Sequence, residues 1–331
     1  MLNDKLISIS AVGKYVPEKI LTNKDLEKMV DTNDEWITTR TGIKERHISE
    51  KNEPTSALAT KAIQNLFEEY NISSDEIDAL VIATISPDMF FPSTAAVTLD
   101  NLKIKHAFGF DISAACSGFL YALKTGESFI KSGMAKKVLV VGADEMSTIS
   151  DYTDRNTCVL FGDGAGAVLL EESKTENGII DTILHTDGSG KDLLYMLGGG
   201  SLNPATHETI DKKMHYIYQD GRPVYKFAVK YMAQVAKDIL KKHHYTSSDV
   251  SLFIPHQANK RIIEAVGKRL KIDPENVFIN INKYGNTTAA TIPLGIYDAM
   301  QEKKLIKYDL LLLGAFGGGF TWGSSLIRWE I

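Results

Sequence analysis

The chain has 331 residues, 44% of them apolar and 24% charged, with a net charge of -5. That is an ordinary globular balance, with length enough for one large domain or two of usual size. No basic stripe suggests a nucleic-acid partner, and no run approaches the roughly 18 apolar residues of a membrane span. Two cysteines, Cys116 and Cys158, cannot build a disulfide framework, which points to a reducing cytoplasm.

The opening residues, Met1 to Leu6, lack the basic start and apolar core of a signal peptide. Ile7, Ile9 and Ala11 then alternate as a strand does, and apolar spacing predicts a helix over Ser56–Tyr70. After a buried strand at Ala79–Ala83, the run from Gly109 breaks into small residues around Cys116 and becomes a helix over Phe119–Ser132. A cysteine at such a turn meets unpaired N–H groups and a helix dipole, both of which favour thiolate. Cys158 reads as a small buried residue. A strand follows at Lys137–Ala143. The glycines of Gly162–Gly166 lead into the strand-like Ala167–Leu170 instead of joining strand to helix, which argues against a dinucleotide site.

Residues 188–222 are polar and loop-like, an insertion over one face, where binding function and plain surface variability are equally good readings. His207 and His215 within it do not form a helix-face metal pair. Helices are expected again over Val224–Lys241, Lys260–Leu270 and Ile292–Glu302, with strands at Leu252–Ile254 and Asp309–Ala315. The chain also echoes itself. Ser73-Ser-Asp before Ala79 matches Ser247-Ser-Asp before Leu252, and Lys137–Ala143 matches Asp309–Ala315, about 172–174 positions on. Such an offset suggests two duplicated α/β halves, 1–180 and 181–331, in five α/β/α/β/α layers.

Four strand-end clusters carry chemistry. They are the Cys116 turn, Pro255-His256-Gln257-Ala-Asn259 before a helix, Gly285-Asn286-Thr287 at a turn, and Ala315-Phe316-Gly-Gly318-Gly before Phe320. Alone, His256 reads more readily as a structural histidine and Asn286 as a turn or cap residue. Convergence at strand ends is the expected layout of an α/β active site.

Together with Trp36–Ile43, Asp154–Thr157 and Phe161–Gly166, these clusters resemble the β-ketoacyl-acyl carrier protein synthase III family of the thiolase superfamily, over essentially the whole chain. The resemblance implies that Cys116 accepts an acyl group from acyl-CoA, with N–H groups of Cys116 and Gly318 as oxyanion hole. Malonyl-acyl carrier protein would then lose CO₂, its enolate oxygen held by His256 and Asn286, and the carbanion would attack the thioester. A neutral amide can hold an enolate but is no base near pH 7, which suits decarboxylation.

It further implies that Trp36 and Arg155 sandwich the CoA adenine, with Arg40 toward the phosphates and Asn259 along the pantetheine arm. Without the family, Trp36 reads as a half-buried anchor and Arg155 as a solvated charge. Arg261 matches a position that meets the carrier protein. Lys226, Lys268 and Arg269 are further candidates, for which a solvated helix face reads as well. Phe91 matches a residue reaching across a homodimer into the partner's acyl pocket, and Phe316 a pocket-gating aromatic. Neither metal nor cofactor is implied beyond the two substrates. Two other readings stand beside this one: a related Cys/His/Asn enzyme of secondary metabolism, making an alkylquinolone or polyketide starter, and a silent acyl-CoA or carrier-protein binding subunit. The primer accepted is left open, because one methylene moves selectivity by only roughly 1–3 kcal/mol.

Overall fold

The computed structural model describes residues 6–331, so the signal-peptide reading of Met1–Lys5 lies outside the described residues. The first sheet is built from β1 (Ile7–Tyr15), β2 (Ala79–Ala83), β3 (Phe108–Ile112), β4 (Val138–Asp144) and β5 (Gly164–Glu172), in the order β1-β5-β4-β2-β3. The second holds β6 (Gly178–Thr186), β7 (Leu252–Pro255), β8 (Leu310–Gly317) and β9 (Thr321–Arg328), in the order β6-β9-β8-β7. Read in the same direction, the two orders correspond strand for strand. Even the place of β3 has an echo, the parallel bridge from Phe253 to Val277 beyond β7. Both sheets mix parallel and antiparallel pairs, and β2, β4 and β7 are buried along their whole length and apolar except for Asp144 at the end of β4. Such continuous apolar runs are what strands covered on both faces require.

The main helices are α1 (Thr55–Tyr70), α2 (Thr94–Asn101), α3 (Gly118–Lys131), α4 (Gly221–Lys242), α5 (Lys260–Leu270) and α6 (Thr291–Gln301), all but α2 expected and with ends shifted by at most three residues. α2 was not anticipated; eight residues, capped by Ser93, are too few to show a period. α1 covers the outer face of the first sheet and α4 that of the second, with α5 packed beside α4. α3 and α6 lie between the sheets in the central apolar core with Phe119, Leu123, Ile292 and Ile296. These are the five layers expected of the duplicated halves. The chain passes from the first sheet to the second between Glu172 and Gly178, just before the boundary expected at 180.

The stretch from 188 to 222 is more ordered than its composition suggests. Leu194–Met196 and Ile217–Gln219 pair as an antiparallel ribbon, and a short helix spans His207–Asp211. Polar, glycine-rich sequence hides so short a ribbon because three residues cannot display an alternation.

Candidate active site

The duplication positions the nucleophile. Each sheet feeds a tight 3₁₀ turn that opens a central helix: Ala115–Ser117 before α3 and Thr288–Ala290 before α6. Both turns begin with a residue in the left-handed region, Ala115 at φ 48° and Thr288 at φ 49°. Non-glycine residues pay strain to sit there, a feature that clusters at functional sites. Cys116 in one turn corresponds to Ala289 in the other, so only one half carries the thiol. Two glycines let backbone crowd these turns. A Cβ on Gly317 would lie 2.6 Å from the Cys116 nitrogen, and one on Gly142 would collide with the Ala289 carbonyl. Thr321 Oγ1 donates to the Ala114 carbonyl, and Ser117 Oγ to that of Thr321, pinning the Cys116 turn to the glycine turn.

His256 leaves β7 with its backbone N–H donated to the Gly314 carbonyl at 2.8 Å, and its Nδ1 lies 2.7 Å from Thr291 Oγ1. Asn286 is stitched in by its backbone, which donates to Leu160 O and accepts from Gly162 N–H. Its Oδ1 accepts the N–H of Thr288 at 2.9 Å. The acceptor end of that amide is therefore occupied, leaving Nδ2 as a donor toward the cavity. Asp144 at the end of β4 is a buried clamp. One carboxylate oxygen accepts from Thr84, Ile85 and Ser86, and the other from Thr288 Oγ1 and the Ala289 N–H. It joins the first half to the turn that orients Asn286. Sequence reasoning missed Asp144, Thr288 and Thr291; the only signal was polar residues at positions where a buried pattern calls for apolar ones.

A cavity of about 1270 Å³ brings together Cys116, His256, Asn286, Gly318 and Phe316, with Arg40, Asn259, Arg261 and Lys226 toward its mouth. The 188–222 segment closes over it through Leu194, Tyr195, Ile217 and Tyr218. Trp36, on the short helix Asp34–Thr41, does not line this cavity but is flanked by Arg40 and Arg155, each 4.8 Å from the ring centre. Arg155 also donates to the Asp31 carbonyl. At that spacing no base fits between Trp36 and Arg155, so a nucleotide sandwich requires Arg155 to swing away. Asn259 caps α5 through its side chain, holding the Arg261 N–H at 2.9 Å. Lys268 and Arg269 are exposed in the last turn of α5, about 10 Å along the helix from Arg261 and off the cavity. Phe91 is 85% exposed and outside the cavity of its own chain. Among the described residues no cluster of His, Cys, Asp or Glu could hold a metal ion. Gly164 and Gly166 lie within β5, packed against other strands and helices instead of cradling phosphate.

The electrostatics correct the expectation of a preformed thiolate. Burial pushes the Cys116 thiol up to about 12, and the Asp144 carboxylate pushes it the same way. A helix N-terminus recovers at most about 2 kcal/mol, roughly 1.5 pKa units. Burial wins, and the resting group is a thiol. Burial likewise pushes His256 down to about 3, leaving a neutral imidazole. Alkylation of Cys116 by iodoacetamide, followed by peptide mass mapping, is therefore expected to accelerate about tenfold per unit from pH 7 to 9. A plateau already below pH 8 would reveal a stabilised thiolate instead.

Comparison with known proteins adds an independent line. The family pattern described as 3-oxoacyl-[acyl-carrier-protein (ACP)] synthase III matches residues 110–188, and its C-terminal counterpart matches residues 240–329. The β-ketoacyl-[acyl-carrier-protein] synthase III of Koribacter versatilis is 53% identical over 331 residues, 99% of each chain. The crystal structure of 3-oxoacyl-[acyl-carrier-protein] synthase III from Aquifex aeolicus superposes with a TM-score of 0.90 at 48% identity, covering 98% of this chain and all of that one. The priming β-ketosynthase of the R1128 polyketide pathway has a similar shape, with a TM-score of 0.91 over 100% and 98% of the two chains, but only 28% identity.

Proposed function

The chain belongs to the β-ketoacyl-acyl carrier protein synthase III family, and we propose that it is the condensing enzyme that initiates type II fatty acid synthesis. Identity near 50% to synthases of that name, against 28% to a polyketide priming enzyme, favours this over the secondary-metabolic reading. The observation that carries the chemistry is the orientation of Asn286. With Oδ1 held by Thr288, its amide presents a donor to the cavity that also contains His256 and Cys116.

In the first half-reaction Cys116 Sγ attacks the carbonyl carbon of acyl-CoA, its proton passing to the departing CoA sulfur, and the oxyanion is received by N–H groups of Cys116 and Gly318. Collapse expels CoA, which leaves as the thiol once protonated. In the second, the bond from the malonyl α-carbon to its carboxylate breaks and CO₂ departs. The electron pair becomes an enolate, whose oxygen accepts from His256 and from Asn286 Nδ2. The α-carbon attacks the Cys116 thioester, giving 3-ketoacyl-acyl carrier protein and freeing the sulfur as a thiolate, which takes up a proton from solvent to restore the thiol. Side chains, backbone N–H groups and the two substrates suffice for this sequence without a further cofactor.

Arg40 serves the CoA phosphates, Asn259 the pantetheine arm, and Trp36 with a displaced Arg155 the adenine. Arg261, Lys226, Lys268 and Arg269 form the cationic approach for the acidic carrier protein; Lys268 follows Arg261 by two helical turns and so shares its face. The half-exposed edge strand β3, with Phe108 and Phe110, and the exposed Met89, Phe90 and Phe91 suit a homodimer interface. Two free cysteines suit a cytoplasmic setting. Radiolabelled acyl-CoA supplied with malonyl-acyl carrier protein tests the reading: label should appear on Cys116 and then in 3-ketoacyl-carrier protein. Product formed only with free malonyl-CoA or an aromatic co-substrate would favour secondary metabolism, and no labelling at all a silent binding subunit.

A further inference from the structure

Thr291, the first residue of α6, is buried, and its hydroxyl lies 2.7 Å from His256 Nδ1. That hydroxyl has one proton and two acceptors within reach, Nδ1 and the Thr288 carbonyl oxygen at 3.0 Å. The Thr288 carbonyl already accepts the backbone N–H of Thr291. Nδ1, by contrast, has no other partner among the described residues. The contact to Nδ1 is the shorter of the two, and of the two atoms only the Thr288 carbonyl has another donor.

We propose that Thr291 is a positioning residue: by donating to Nδ1 it fixes the buried imidazole of His256 as the Nε2–H tautomer, with that N–H aimed into the cavity beside the Asn286 amide. Which ring nitrogen carries the proton is set by the bond the other one makes. A neutral imidazole held this way donates to a developing enolate oxygen without first acquiring a charge, which its burial opposes. Asn286 is oriented through Thr288, and His256 through Thr291. The same turn and the helix it opens thus present both donors together.

This inference rests on the proposed role of His256 and Asn286 in decarboxylation. Its test pairs ¹⁵N NMR of histidine-labelled full-length enzyme with steady-state kinetics on malonyl-acyl carrier protein, the His256 signals being assigned by their loss in His256→Gln. The wild type is expected to show a protonated Nε2 and an acceptor Nδ1. Thr291→Val should mix the tautomers and lower kcat about 10- to 100-fold while KM stays within about threefold, and Thr291→Ser should recover kcat to within about threefold. A protonated Nδ1 in the resting wild type overturns the proposal, as does a folded Val variant with wild-type kcat. The wild-type spectrum needs no variant, so poor folding of Thr291→Val does not remove the test. A wild type that shows the Nε2–H signature yet never decarboxylates malonyl-acyl carrier protein would count against the functional reading and not against the tautomer.

Discussion

A Cys116→Ala variant is expected to form no acyl-enzyme and to lose condensation by about 10⁴- to 10⁶-fold, the scale on which deleting a covalent nucleophile acts. The same variant should still decarboxylate malonyl-acyl carrier protein, because the groups proposed to hold the enolate oxygen reach the cavity from other elements. His256 leaves β7, and Asn286 is stitched to the Leu160–Gly162 segment. Alanine fits the turn, since Ala289 occupies the corresponding place in the second half. Thermal melting should accordingly be near that of the wild type. Measured CO₂ release without 3-ketoacyl product would separate the two half-reactions on one protein. If the alanine variant condensed acyl-CoA at a normal rate, Cys116 would not be the acyl carrier.

Much of this architecture is legible in the sequence because it is built from long, uniformly buried pieces. Ala79–Ala83 and Leu252–Ile254 read as strands from their apolar runs, and α4 displays its period over Val224–Lys241. Motif recognition located Cys116, His256 and Asn286, although only His256 stands at the end of such a piece; Cys116 follows the half-buried β3, and Asn286 follows a four-residue helix, Ile281–Tyr284, where the apolar run suggested a strand. What stayed hidden is what acts over one or two residues or across half the chain. The left-handed conformations of Ala115 and Thr288 have no glycine to announce them. Asp144 binds a turn 144 residues away, a pairing no local pattern encodes. The thiolate expectation failed for a related reason. A helix start is visible in sequence, but the depth of burial that outweighs it is a property of the closed cavity.

Duplication also explains why one fold presents two kinds of chemistry at one point. The two 3₁₀ turns meet between the sheets, so whatever each carries is delivered to the same cavity. One half supplies a nucleophile. The other has Ala289 in its place, and its turn holds Asn286 through Thr288 and His256 through Thr291, the two groups proposed as donors. The two substrates thus act in succession at one place, the first leaving its acyl group where the second is decarboxylated.

Asn286→Ala is expected to lower malonyl decarboxylation and overall condensation about 10²- to 10³-fold, the roughly 2.7–4 kcal/mol that one oxyanion donor supplies, while Cys116 is still acylated. Alanine removes two things: the Nδ2 donor, and the acceptor that holds the Thr288 N–H. Asn286→Asp separates them. A carboxylate keeps the acceptor for Thr288 but presents oxygen in place of the donor, so the turn is supported while the enolate oxygen meets repulsion. The Asp variant is therefore expected to keep the contact to the Thr288 N–H that the Ala variant loses, yet to decarboxylate no faster. Rapid-quench measurement of acyl-enzyme formation, run beside ¹⁴CO₂ release from labelled malonyl-acyl carrier protein, resolves the two half-reactions. Equal loss of acylation and decarboxylation in both variants would mean that Asn286 supports the cavity as a whole, and the assignment of its amide to the enolate would fall.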